Sequence, residues 1–266
     1  MRLSRYARAI PGHASEGDAW PSWVSAGARR RFDPLTRLAC AAVDRLLQQG
    51  GELPPDTAVL VATSYGAVES TFRFAQSIAQ FGDAGGSPTP FTTSVHNSCA
   101  AAIGELLRLR GPTTTISQGA TGPIAALRFA NRLVETGRAP AALVLTGERH
   151  NDWSRRVVTT LSGARWPIGD GMVGVVVESG SGPGRQFSLN APDTTARRLT
   201  GGALSLSECA LVTDRDEPLI AAQRLGCWWP GCGLGGLAWT TDEAVLLTEV
   251  EGDRREQLWI GPHTHH

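Results

Sequence analysis

Lysine is absent from this 266-residue chain, so all 25 basic residues are arginines. A GC-rich genome accounts for such a bias, but the absence still excludes a lysine Schiff base and the lysine of a phosphate-binding loop. Net charge is missing too: 25 acidic residues balance the arginines. Nucleic-acid affinity depends on clustered cations, so no nucleic-acid partner is expected. The one tight basic cluster, Arg29-Arg30-Arg31, reads as a solvated helix start. Long hydrophobic runs are also lacking. None approaches the roughly 20 apolar residues that cross a bilayer, so no membrane partner is expected. The opening stretch MRLSRYARAIPGHASEG has no apolar signal-peptide core, and a cytoplasmic protein is expected.

Cysteine is sparse and unpaired in pattern. The five, at 40, 99, 209, 227 and 232, form no repeated CxxC. Cys227 and Cys232 are separated by WWPG, which suits neither a redox pair nor half of a zinc site. Reduced structural thiols and no metal site are expected. Three of the six histidines, at 263, 265 and 266, crowd the ending GPHTHH, which reads as a mobile tail or a shortened tag.

What is present is a globular chain, 41% apolar and 19% charged, long enough for a sizeable core. Residues 29–49 place Leu35, Leu38, Ala39, Ala42, Val43, Leu46 and Leu47 on one helical face. TAVLVATS (57–64) is a continuous apolar strand of the kind buried on both sides of a parallel sheet. YGAVESTFRFAQSIAQF reads as a helix, GDAGGSPTP as a loop and residues 97–109 as a small-residue helix. TTTIS, AALVLTGE and GMVGVVVES read as strands, with a helix over GPIAALRFANRLVETGR between the first two. The alternation predicts an α/β fold around a central sheet. SGSGPGRQ reads as a flexible break. Beyond it ECALVTD, EAVLLTEVE and EQLWIG read as strands, and CWWPGCGLGGLAW has no clear form.

Residues 113–127, TTTISQGATGPIAAL, run from a β-prone segment through a glycine-bearing turn into a helical pattern. Proteins present a nucleophile on such an elbow, because the helix N-terminus faces the reactive atom. Yet Ser117-Gln118-Gly119-Ala120-Thr121-Gly122 contains no cysteine.

The order of features resembles a β-ketoacyl-acyl-carrier-protein synthase of the thiolase fold. RRRFDPLTRLACAAVDRLL is similar to that family's first long helix, and VLVATSYGAVES to its first strand and glycine turn. PFTTSVHNSCAAAIGELLRLRGPTTTIS resembles the stretch leading to the active cysteine. PAALVLTGE and GDGMVGVVVESG look like the strand and Asp-Gly hairpin closing the first half. The SVHN at 94–97 leans towards short chain-length-factor-like homologues of aryl-polyene clusters, which keep the first half and lose much of the second. The resemblance spans about residues 28–180. It implies a thiolase-like ketosynthase fold with the first half retained (1–180) and the second shortened (181–266).

The resemblance puts Gly119 where the nucleophilic cysteine would sit, with Gln118 beside it. Glycine offers nothing to acylate, and a one-residue slip brings only Gln118 or Ala120. The two second-half histidines that a condensing synthase requires have no counterpart either, since after His150 only the terminal three remain. His150 itself, after ALVLTGER, lies in the wrong place. The implied function is a catalytically silent chain-length-factor subunit. It would pair through TTTIS with an active ketosynthase, close that partner's acyl tunnel, meet acyl carrier protein only indirectly and need no cofactor. Thr114, Thr115, Ile116, Leu127 and Phe129 are the interface and tunnel-wall candidates, with small residues Gly122, Ala125 and Ala126 leaving space. Arg108 and Arg110 are available to a carrier protein, although solvated surface is their simpler reading.

Alternatives stay open beside this. Gln118 invites comparison with decarboxylating synthase relatives. Cys99 with His96, in VHNSC, is a conceivable nucleophile–base pair for a stand-alone acyltransferase or thioesterase-like enzyme. The simpler reading makes Cys99 a small core residue and His96-Asn97 a helix entry. Asp170-Gly171 reads as a tight turn, and Ser64 and Tyr65 have no base partner in sight. A non-catalytic homodimeric acyl-binding scaffold is the remaining possibility.

Overall fold

A computed structural model of the chain describes residues 1–12, 17–162, 168–180, 182–188, 197–200, 219–220, 245–251 and 254–264. The apolar segment 58–62 forms β2 (Ala58–Ala62), every residue of it buried. It pairs in parallel with β3 (Thr113–Ile116) on one side and β4 (Ala141–Glu148) on the other. β5 (Gly171–Glu178) then runs antiparallel to β4, and β1 (Arg2–Ala9) antiparallel to β5.

The sheet does not stop at residue 180. β6 (Gly184–Ser188) joins β1, and β10 (Arg254–Thr264) joins β6. β9 (Val245–Glu251), β7 (Arg197–Thr200) and β8 (Leu219–Ile220) complete the order β3-β2-β4-β5-β1-β6-β10-β9-β7-β8. Two strand expectations in the second part hold, at EAVLLTEVE and EQLWIG. Two others are corrected. The glycine-rich break at 179–186 already starts β6, and His263 pairs with Arg185 inside β10 instead of lying in a mobile tail. ECALVTD, CWWPGCGLGGLAW, His265, His266 and the cysteines at 209, 227 and 232 lie outside the described residues.

Strand alternation splits the core into two layers. On one face Leu60, Val144 and Val175 pack against Ile124, Leu127 and Ala130 of α6 (Gly122–Glu135). Phe187, Leu258 and Ile260 extend that layer into the second part of the chain. On the other face Val59, Val61, Leu143 and Leu145 meet α2 (Pro34–Gly50) and α5 (Ser98–Leu106).

The expected helix over 29–49 is in fact two. α1 (Ala26–Arg31) stops at Phe32, and α2 restarts because Pro34 fits a first turn but restricts the residue before it. Asp33 caps the new start, its Oδ1 accepting the Leu35 N–H at 2.8 Å. Its Oδ2 accepts from Ser70 N at 3.2 Å and Ser70 Oγ at 2.7 Å, which ties α3 (Val68–Phe81) to α2. The loop expected over 82–90 contains a 3₁₀ turn (Asp83–Gly85) and the start of α4 (Pro88–Thr93). α7 (Asp152–Ser162) follows β4, and its start is closed reciprocally: Ser154 N donates to Asn151 Oδ1 at 2.8 Å, and Asn151 N to Ser154 Oγ at 3.0 Å.

Candidate functional site

The three parallel strands β3, β2 and β4 end together, and the loops after them meet at one edge of the sheet. Open α/β sheets bind ligands at that edge. The elbow lies there. β3 ends at Ile116, and Gln118 turns the chain at φ −140° and ψ 37°. Gly119 follows at φ +51°, in the left-handed region that costs an L-residue about 1–2 kcal/mol. A single 3₁₀ turn (Gly119–Thr121) then feeds α6, with Pro123 in its first turn. Thr121 is fully buried and locks the bend, its Oγ1 donating to Gln118 O at 3.0 Å. Ser117 and Gln118 are exposed. The strand-to-helix elbow expected from the sequence is therefore present, with a glycine at its strained position.

The β2 loop sits under the elbow. Thr63 N donates to Ile116 O at 3.1 Å, and Ser117 Oγ donates to Ser64 O at 3.4 Å. The loop is held from the other side by Glu148, the last residue of β4, which is fully buried. Its carboxylate accepts Thr63 Oγ1 at 2.9 Å, Tyr65 N at 3.2 Å and Ser64 N. Burial outweighs these bonds and pushes the Glu148 carboxyl up to about 8.

Two residues on, His150 is 6% exposed, and its ring lies 5.0 Å from that of Tyr65 at 57°. Burial lowers its pKa to about 4. Among the described residues neither ring nitrogen has a hydrogen-bond partner. Asp170 gathers the junction, accepting Arg149 Nη1 at 2.8 Å, Arg155 Nη2 at 2.9 Å and His150 N at 2.9 Å. Three expectations change accordingly. Ser64 and Tyr65 do face titratable groups, His150 belongs to the site's edge, and Asp170 anchors two arginines. A signal was available: a carboxylate ending a largely apolar strand, ALVLTGE, needs donors from whatever strand lies beside it.

Cys99 is not part of this edge. It is 1% exposed, faces Thr36 and Cys40, and burial pushes its thiol far above the ordinary range. That corrects the nucleophile alternative and fits the core reading. His96 is exposed, and its ring abuts Gly66, where an added Cβ would stand 2.6 Å from Nδ1. Gly66 also has φ +58°, so both space and backbone require glycine there.

Among the interface candidates, Leu127 is fully buried in its own core, which corrects its place as a tunnel wall. Gly122 and Ala126 are buried too, and a Cβ at 122 would sit in ordinary contact with Ala62 Cβ at 3.8 Å. Phe129 is 43% exposed, and Thr114, Thr115 and Ile116 are half-buried on a strand that, among the described residues, pairs only with β2. Arg108 and Arg110 are exposed; Arg108 has φ +54°, and Arg110 pairs with Asp56 at 3.4 Å. Among the described residues no cluster of three His, Cys, Asp or Glu residues could hold a metal, and no helix is long and apolar enough to cross a membrane.

A family model described as "Beta-ketoacyl synthase, N-terminal domain" matches residues 5–200. No curated protein matches the chain. Among solved structures, the ishigamide ketosynthase/chain length factor superposes with a TM-score of 0.75 at 16% identity, covering 99% of both chains. The ketosynthase (ApeO) in complex with its chain length factor (ApeC) from Xenorhabdus doucetiae gives 0.58 at 19% identity, covering 97% of this chain and 99% of that one. The ketosynthase from module 1 of the bacillaene synthase of Bacillus amyloliquefaciens FZB42 gives 0.67 at 11% identity, covering 98% of this chain but only 75% of that one. At such identities the likeness establishes the fold: thiolase-like, and shorter than that full ketosynthase.

Proposed function

This chain belongs to the β-ketoacyl synthase N-terminal-domain family, and from that premise we propose that it is a catalytically silent, chain-length-factor-like subunit. It pairs with an active ketosynthase and limits the length of the acyl or polyene chain that the partner builds. The observation that carries this reading is the elbow. The bend has the strand-turn-helix form on which a nucleophile would be presented, and its left-handed residue is Gly119. With no side chain, position 119 cannot accept an acyl group from a carrier. Cys99, the nearest alternative thiol in the sequence, is buried against Cys40 and Thr36.

Pairing is supported by the outer edge of β3. Among the described residues the strand has β2 on one side and no other strand on the other. Such an edge is covered in a stable assembly, and a partner's strand satisfies its backbone groups directly. In the ishigamide ketosynthase/chain length factor and in the ApeO–ApeC complex a ketosynthase occurs with a chain length factor, which suits a heterodimer. Carrier protein then reaches the assembly through the partner's thiol, and this chain holds no cofactor of its own.

The test is co-expression with a ketosynthase that carries the cysteine and paired histidines. A stable one-to-one complex that condenses malonyl units, with this chain inert alone, is the expected result. A self-paired dimer that ignores the ketosynthase favours the scaffold reading, and a covalent acyl adduct on the isolated chain overturns silence.

A further inference from the structure

Among the described residues, buried side-chain atoms without a hydrogen-bond partner gather where the parallel strands end. They include Ser64 Oγ after β2, Thr115 Oγ1 on β3, and Thr146 Oγ1, both His150 ring nitrogens and Asn151 Nδ2 on and after β4. Buried polar atoms left unpaired cost about 1–3 kcal/mol each, so a concentration of them calls for a cause. The imbalance at the β4–α7 junction has a sign. Asn151 Oδ1 is occupied by Ser154 N, so the orphaned Nδ2 is a donor. A neutral His150 ring adds a second donor with nothing to receive it. The charged groups closest to that ring are Asp170, Arg155 and Arg149. Two guanidiniums share the single oxygen Asp170 Oδ2, so one positive charge is left over within the clasp. Asp152 and Arg156, both exposed, cancel one another beside it. The 11-residue α7 starts here and turns its N-terminal N–H groups towards the same junction.

Arg155 Nη1 already donates to Ile168 O. We propose that the β4–α7 junction is an oxyanion-binding site, taking a carboxylate or phosphate group of a small molecule through Asn151 Nδ2, the His150 ring N–H and the N–H groups of Arg149 and Arg155 that Asp170 and Ile168 O leave unengaged. The ligand supplies the acceptor that the protein lacks. Tyr65, its ring tilted against that of His150, joins the site to the loop beneath the elbow, so bound anion and elbow share one sheet edge. The site does not depend on whether the chain pairs with a ketosynthase.

Isothermal titration of the full chain with inorganic phosphate and with malonate, at ionic strength matched by chloride, is the test. Saturable one-site binding is expected, and the preferred anion tells a phosphate-bearing from a carboxylate-bearing ligand. Asn151→Asp keeps an oxygen for Ser154 N while turning the donor into a repelling acceptor. It should leave Tm unchanged and weaken binding about tenfold or more. Arg155→Gln, at a partly exposed side chain, should weaken binding similarly. Anion should also move the His150 ring resonances in the wild type and not in Asn151→Asp. Heats no larger than chloride gives, or full affinity in both variants, would overturn the site.

Discussion

Thr63 Oγ1 donates to Glu148 Oε2 at 2.9 Å and accepts the Gly66 N–H at 3.0 Å, so one hydroxyl joins the end of β2 to the end of β4 and shapes the loop between them. Removing the carboxyl group leaves the Thr63 O–H and the Ser64 and Tyr65 N–H groups without their acceptor. Glu148→Ala should therefore destabilise the chain by on the order of 3 kcal/mol, read as a shift in urea midpoint at constant m.

The same carboxyl sets a pH dependence. Its pKa is about 8 folded against an ordinary 4.5, so the folded chain holds a proton that the unfolded chain has released between those values. Its contribution to stability falls as pH rises through that window. His150, at about 4 against 6.5, acts oppositely, and stability is lost as pH drops from 6.5 to 4. The two oppose each other between 4.5 and 6.5, leaving a net decline above 6.5. Glu148→Gln should flatten that alkaline limb in a series of urea titrations. An unaltered slope would show that Glu148 is not its source.

Cys99 should resist iodoacetamide and thioester probes in the native chain and react only after unfolding, because burial keeps it a thiol. Peptide mapping by mass spectrometry distinguishes it from Cys40, which is also buried with its pKa pushed up to about 12. Native labelling at Cys99 at rates near those of a free thiol would revive the acyl-enzyme alternative.

Thr115→Pro should separate pairing from folding. Pro112 O and Ile116 O bond to Val59 N and Thr63 N across to β2, so by alternation residue 115 directs its backbone to the open edge. Proline there leaves the β2 ladder intact and removes a donor from the edge. Loss of the ketosynthase complex with a native-like circular dichroism spectrum is expected. Equal co-purification of the variant would place pairing elsewhere.

Gly119→Cys should cost about 1–2 kcal/mol for its left-handed backbone and create a thiol open to alkylation. It should not create a condensing enzyme, because paired second-half histidines are lacking. Turnover of malonyl thioester by this variant alone would contradict that.

Much of the first half was legible in the sequence because single strands and helices carried their own pattern. β4 begins and ends where AALVLTGE does, and α6 follows the apolar period after Gly122. What escaped depended on partners distant in the chain. RLSRYARA alternates too weakly to announce β1, whose burial comes from β5 and α2. The break inside residues 29–49 was written in Phe32-Asp33-Pro34, but Asp33 as a cap for α2 that also holds Ser70 needed the fold. Likewise the elbow was visible locally, whereas the meeting of Glu148, Tyr65 and His150 below it follows from β2 and β4 lying side by side.

Arg2 and Glu178, bonded at 2.7 Å, are 176 residues apart along the chain. On the ribosome, then, β1 is made long before the strand that pairs with it, and the whole stretch between them must leave the exit tunnel before the middle of the sheet can close. Such non-local closure is slow and leaves sticky surface open meanwhile. Yield in a heterologous host should therefore respond to chaperone supply and growth temperature more than to promoter strength.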